Sequence, residues 1–206
     1  MTYNPEKHHR RSIRLKGYDY SQAGAYFVTV CTHKRECLFG KIVDGEMQLN
    51  DAGRMAGKWW CELKNKFTNI ELDEYVIMPN HFHGIIIIIT VGVDLCVSPM
   101  GEHVGLGGHI GPPLPEIVRW FKTMTTNEYI RGVKQNIYAP VNRRLWQRNY
   151  YEHVIRNEDK LNRIREYIIN NPLQWQFDRE NPDRIKDKAY DNQWDCLEGM
   201  IYGKNE

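Results

Sequence analysis

An α+β fold, with one central antiparallel sheet and helices packed on it, is what this 206-residue sequence predicts, on three observations. The apolar spacing switches along the chain between a period of two and a period near 3.6, in the order strand, hairpin, helix, strand, strand, helix, strand, helix. The stretch MPNHFHGIIIII at 78–89 carries five consecutive isoleucines, which reads as a strand covered on both faces and hence a central one. Length and composition, 41% hydrophobic and 26% charged, suit one globular domain with room for a single sizeable core.

The elements follow in order. AYFVTVCT (25–32) alternates and is rich in β-branched and aromatic residues, so it is a strand. KIVDGEMQL (41–49) is a hairpin turning at Asp44-Gly45. Asp51 reads as an N-cap, and Ala52, Met55, Ala56, Trp59, Trp60, Leu63 and Phe67 recur at helical spacing behind it. IELDEYVIM (70–78) is a strand, Pro79-Asn80 a turn, and 81–89 the neighbouring strand. Between Thr90 and Pro115 lie six glycines and four prolines without periodicity, an insertion whose glycines lack the Lys-Ser/Thr ending of a phosphate-binding loop. A helix resumes at Glu116 with Ile117, Trp120, Phe121 and Met124 on one side. A strand is expected over 145–155. Asn157 then caps a helix that must stop near Asn171, because Pro172 does not continue it.

Several classes are set aside by composition. Five scattered cysteines form no C-x-x-C pair, which fits a reducing, cytoplasmic setting. The N-terminal segment has charge but no apolar core, and no apolar run is long enough to cross a bilayer, so neither secretion nor membrane insertion is expected. Net charge is only +2, but it is unevenly spread: residues 131–165 hold nine Lys/Arg against three acids, a local +6. Lys7, Arg10, Arg11, Arg14 and Lys16 form a second basic cluster, while the tail after Gln176 has more acids than bases.

Two groups carry chemistry. Residues i and i+2 of a strand share a face, so His81 and His83 can converge on one ion while Phe82 turns to the core. Imidazole suits several divalent metals and names none of them. On the helix after Asn157, Tyr167 falls at the edge of the stripe Leu161, Ile164, Ile168, and Asn171 lies one turn further on the same face, offering a hydroxyl and an amide oxygen to one site. Tyr150 and Tyr151 are competing hydroxyls and His153 a competing ligand. Tyr151 and His153 share a face of their strand. His103 and His109 sit in the glycine-rich insertion.

YVIMPNHFHGIIII, LWQRNYYEHVIRNEDKLNRIREYIINNP and the basic RRSIRLKGYDY ahead of YFVTVCT together resemble the HUH single-tyrosine transposases, particularly the REP-associated tyrosine transposases, from about Arg10 to Pro172. H-x-H alone is unspecific, since amidohydrolases use it too. The resemblance implies a ferredoxin-like HUH endonuclease fold and metal-dependent cleavage and rejoining of single-stranded hairpin DNA through a 5′-phosphotyrosine. It implies Tyr167 as nucleophile, His81 and His83 as ligands, and Asn171 as a further ligand where insertion-sequence relatives carry the longer glutamine. A divalent ion, Mg or Mn, is the implied cofactor.

For DNA contact the candidates are Arg10, Arg11, Arg14, Lys16, Lys122, Arg143, Arg144, Arg148 and His153, with Trp146 and Tyr150 as stacking surfaces. The expected organisation is a basic arm at 1–24, the catalytic domain at 25–172 with the insertion 90–115, and a tail at 173–206. A monomer is favoured over a homodimer. The rival readings are another HUH enzyme of replication or plasmid transfer, a DNA-binding protein of this fold without catalysis, and a metal-dependent hydrolase of small molecules.

Overall fold

The computed structural model describes residues 17–89 and 112–188. Arg10, Arg11, Arg14, Lys16, His103, His109, most of the glycine-rich insertion and the end of the tail lie outside the described residues.

Six strands and four helices are described: β1 (Gly24–Cys31), β2 (Gly40–Val43), β3 (Glu46–Leu49), α1 (Asp51–Cys61), α2 (Leu63–Lys66), β4 (Ile70–Ile77), β5 (His81–Ile88), α3 (Leu114–Lys134), β6 (Tyr151–Ile155) and α4 (Glu158–Asn170). The main sheet runs β4-β5-β1-β6, every pairing antiparallel. Leaving out the β2–β3 hairpin, the short α2 and the final helix, this is β-α-β-β-α-β with the first and third strands central. That is the ferredoxin-like arrangement, reached from strand order alone.

Local chemistry explains the elements. The β2–β3 hairpin turns on Asp44 (φ 52°) and Gly45 (φ 79°), the pair of positive φ angles a two-residue hairpin loop needs. The cap of α1 is Asn50 and not Asp51: Asn50 Oδ1 accepts from the Gly53 N–H at 2.9 Å, and Asp51 becomes the first helical residue, beside the positive end of the dipole. Asn157 Oδ1 accepts from the Lys160 N–H at 2.9 Å and caps α4 as expected. Helix α3 starts at Leu114, inside the span read as insertion, because Pro113 and Pro115 are tolerated at a helix start. The strand expected over 145–155 shrinks to Tyr151–Ile155. Upstream of it only Trp146 pairs, bridging to Thr32.

The isoleucine run is covered on both faces. Ile86 and Ile88 join Tyr26, Val28, Val30, Trp60, Phe82 and Phe121 beneath α1 and α3, whereas Ile85 joins Phe27, Leu161, Ile164, Tyr167 and Ile168 beneath α4. A glycine precedes the run because the Trp60 ring lies where a Cβ at Gly84 would project, 2.5 Å from it. On the other face, the register shift between Leu72 and Tyr75 falls where Asp73 accepts from Arg165 Nε (2.9 Å) and Nη2 (2.5 Å), tying α4 to β4. Among the described residues no helix is long and apolar enough to cross a membrane.

Candidate metal and nucleophile site

The two histidines open β5 directly after the Pro79-Asn80 turn, both buried, with ring centroids 4.5 Å apart. The pleat turns them to the α4 side and sends Phe82 into the opposite core. Their cross-strand partners on β1 are Cys31 for His81 and Thr29 for His83.

Hydrogen bonds assign both tautomers. Asn80 Nδ2 donates to the carbonyls of Arg35 (3.1 Å) and Glu180 (2.6 Å), so it is Asn80 Oδ1 that faces His81 Nδ1 at 2.9 Å. That nitrogen must then carry the proton, which leaves His81 Nε2 with a free lone pair. At His83 the phenol of Tyr167 lies 3.0 Å from Nε2 and the Thr29 hydroxyl 2.7 Å from Nδ1. The phenol, much the stronger acid, donates, so Nδ1 carries the proton and Thr29 accepts it. Orienting an imidazole through its far nitrogen in this way is what metal-binding histidines require.

Around these rings lie groups that lack the partners burial demands. His81 Nε2, Asp178 Oδ2 and both polar atoms of the Asn171 amide are buried without a hydrogen bond. Asp178 Oδ2 is 3.9 Å from His81 Nε2, and its other oxygen accepts from the Glu180 N–H at 2.6 Å. The Asn171 amide sits close enough to His81 to favour its proton without making a hydrogen bond. His81, His83 and Asp178 each offer a ligand atom, all within 4.8 Å of one another. A carboxylate oxygen and an imidazole nitrogen buried without partners are costly unless something else satisfies them.

Burial pulls His81 below the ordinary histidine value, against the opposing pull of the Asp178 and Glu180 carboxylates. Burial likewise pulls His83 well down, and the neighbouring His81 adds to the effect. Both rings are therefore neutral at neutral pH, the state a ligand needs, and the His81–Asp178 approach is not an ion pair there. His153 is pulled to about 4, first by burial and then by Lys160 and Arg156. In the unfolded chain an imidazole titrates near 6.5, so below about pH 6.5 the unfolded state binds more protons than the folded one. Metal-free stability is expected to fall as pH drops from about 6.5 toward 4. The two fully buried imidazoles and His153 all act in this direction. Urea midpoints at pH 7 and pH 5 check this, and His153→Gln is expected to shrink the difference.

The structure brings Tyr167, His81, His83 and Asn171 together and sorts the other candidates. Tyr150 faces the core under α3, on the wrong side of the sheet. Tyr151 is paired to Thr29 at the edge, 41% exposed, and His153 is paired to Phe27, so both share the histidines' face. Trp146 and Tyr150 are core residues, the Trp146 Nε1–H donating to Thr125 Oγ1 at 2.8 Å, and not the open stacking surfaces the sequence suggested. Lys122, Arg144 and Arg148 gather beside α3, and Arg143 is exposed nearby with φ 75°.

Asp178 is the residue sequence reasoning missed. It follows a 3-10 turn over Pro172–Phe177 that folds back across the strand end, setting the Trp175 ring 6.1 Å from that of His81. Arg35 grips Glu180 through Nε (2.7 Å) and Nη2 (3.1 Å), and Asn80 holds the Glu180 carbonyl, so the segment is tied at two points.

No family model matches the chain. A solved structure of a REP-associated tyrosine transposase bound to a REP hairpin is similar at TM-score 0.48 and 18% identity, covering 78% of this chain and 73% of that one. A transposase candidate from Deinococcus radiodurans R1 is similar at TM-score 0.41 and 16% identity, covering 76% of this chain and 95% of that one. An uncharacterized protein of Haemophilus influenzae is 43% identical over 183 residues, covering 86% of this chain and 96% of the relative. At that identity over nearly its whole length, this chain and the Haemophilus influenzae protein belong to one family.

Proposed function

We propose that this protein is an HUH single-tyrosine transposase of the REP-associated kind, a metal-dependent enzyme that nicks and rejoins single-stranded hairpin DNA. One observation carries the reading: a buried phenol hydrogen-bonded to His83 Nε2, in the same group as the unpartnered His81 Nε2 and Asp178 Oδ2. A structural tyrosine needs no such surroundings.

The residues fit a divalent cation, because His81 Nε2, Asp178 Oδ2 and the Asn171 amide are a mixed N/O donor set that burial leaves unsatisfied, and His83 Nε2 would join it by exchanging its hydrogen bond from Tyr167. His81, His83 and Asp178 would hold it, with Asn171 adjoining, and the two imidazoles favour Mn over Mg. When bound, such an ion supplies Lewis-acid withdrawal of charge from a scissile phosphate.

The chain's own residues do the rest. Phe27 stacks on His83 (5.3 Å) and meets Tyr167 edge-on (6.1 Å), so the nucleophile and its partner share one rigid wall. A phenol of pKa about 10 needs help to lose its proton at neutral pH; in the metal-free protein the hydrogen bond to His83 Nε2 holds the phenol in place, and that nitrogen is the one a cation would take. A bond forms from phosphorus to the Tyr167 oxygen, the P–O3′ bond breaks, and the departing 3′ oxygen takes up, through solvent, a proton equivalent to the one the phenol loses. The phosphotyrosine keeps the energy of the diester, so a second 3′-OH can reverse the step and join strands.

The test is incubation with the hairpins that flank its own gene, each bearing a single-stranded extension, in Mn or Mg. A protein–DNA band that survives denaturing electrophoresis and disappears with chelator is expected. Tight binding of the hairpins with no such band would make the protein a DNA-binding member of the fold instead.

A further inference from the structure

The geometry points to Arg35 as the residue that grips the phosphate of the linkage Tyr167 cleaves, at the place the Glu180 carboxylate fills in this structure. This rests on the reading above and adds a substrate contact to it.

Arg35 stands at the end of a turn built to present it. Strand β1 ends at Cys31, the cross-strand partner of His81, and a 3-10 turn over His33–Arg35 follows at once. Lys34 (φ 57°) and Arg35 (φ 58°) both sit in the left-handed region, which residues with a Cβ enter only where their surroundings impose it. Here they do. The Thr32 N–H donates to the Asn80 carbonyl and the His33 N–H to the Leu145 carbonyl, each at 2.8 Å, and the Thr32 hydroxyl donates to the Glu36 carbonyl at 2.8 Å. Asn80 Nδ2 then takes the Arg35 carbonyl while Asn80 Oδ1 faces His81, so one side chain registers both the arginine's backbone and the imidazole. A surface ion pair needs no strained backbone beneath it.

What Arg35 holds has the outline of a phosphodiester edge. Its Nε and Nη2 each donate to a different oxygen of Glu180, at 2.7 and 3.1 Å. That fork fits the two oxygens of a carboxylate or the two non-bridging oxygens of a phosphodiester, and both carry a single negative charge. The carboxylate lies beside the reacting group: the Glu180 N–H donates to Asp178, whose other oxygen is 3.9 Å from His81 Nε2. Burial is the first cause that lowers His81, and the Arg35 charge is close enough to add to it. The Arg35 side chain is 48% exposed and that of Glu180 18%, so a ligand reaches the guanidinium from solvent without the core opening. A pair so exposed is weak by itself, and replacing its carboxylate by a phosphate of equal charge costs little. As the phosphate reacts, the guanidinium faces the non-bridging oxygens and stabilises the charge that builds there.

Fluorescence anisotropy with the labelled flanking hairpins tests this, once the wild-type adduct has located the cleaved linkage. The parent is Tyr167→Phe, so that binding is read without cleavage. Adding Arg35→Gln is expected to weaken hairpin binding about 10-fold, the worth of a charged hydrogen-bond pair. A single methylphosphonate at the cleaved linkage, which removes that phosphate's charge, is expected to cost the parent about 10-fold and the Arg35→Gln protein less than about 3-fold. Glu180→Gln breaks the same ion pair and leaves the guanidinium, and it is expected to bind at least as tightly as the parent. Should the glutamine variant not fold, Arg35→Lys, which keeps the charge and loses the fork, is read in the same cycle. Equal methylphosphonate losses with and without the Arg35 substitution overturn the inference, as does a loss in Glu180→Gln matching that in Arg35→Gln, which would make Arg35 an anchor of the tail. A wild-type protein that forms no adduct overturns the functional reading first, and the inference with it.

Discussion

Replacing Tyr167 by phenylalanine is expected to abolish the covalent protein–DNA product while leaving a folded protein that still binds its metal. The two effects separate because of where the hydroxyl sits. Its ring packs with Phe27, Ile85, Ile164 and Ile168, contacts that phenylalanine keeps, whereas the hydrogen bond to His83 Nε2 goes. Leaving that buried acceptor unpaired costs about 1–3 kcal/mol of stability. Loss of the nucleophile is expected to cut single-turnover cleavage at least 1,000-fold, about 4 kcal/mol of barrier. Denaturing gels report the adduct and urea melts the stability. Persistence of the adduct in Tyr167→Phe would move the nucleophile to another tyrosine, Tyr151 being the exposed one on the same face.

Asp178→Asn is expected to pull metal-free stability and metal response in opposite directions. Asparagine keeps the shape and the acceptor that binds the Glu180 N–H, and it removes a charge whose other oxygen is buried without a partner. The metal-free variant should therefore be as stable as the wild type or about 1 kcal/mol more so. A ligand at 100 times its Kd stabilises by about 2.7 kcal/mol, which for a chain of this length raises Tm by roughly 5–10 °C. Most of that rise with Mn is expected to vanish in the variant, together with cleavage. A variant that melts lower without metal yet keeps the full metal-induced rise would make Asp178 a structural anchor for the tail.

How much of this was legible depends on periodicity. His81 and His83 stood out because a strand's two-residue repeat fixes which side chains converge, and the isoleucines behind them declared the strand central. Tyr167 and Asn171 were legible because Asn157 and Pro172 bracket a helix whose apolar stripe sets their phase. Asp178 carries no such mark: it is one acid in an acid-rich tail, brought to His81 by Asn80 and Arg35, which lie about 100 and 145 residues earlier. Burial of Trp146 was equally hidden. A tryptophan between arginines reads as a surface, and only the Thr32 bridge and the Thr125 hydroxyl draw it inward. The caps failed by one residue at α1 because Asn50 and Asp51 are both good caps, and it is the N–H of Gly53 that decides between them.

The Asp73–Arg165 tie has a consequence for how the protein works in company. It fastens the helix bearing Tyr167 to the very sheet that bears His81 and His83, so on the proposed reading the phenol and both imidazoles of one site are expected to come from one polypeptide. An inactive His81→Ala chain mixed with an inactive Tyr167→Phe chain should accordingly stay inactive at every mixing ratio, and recovered cleavage in that mixture would mean that the helix can change sheets.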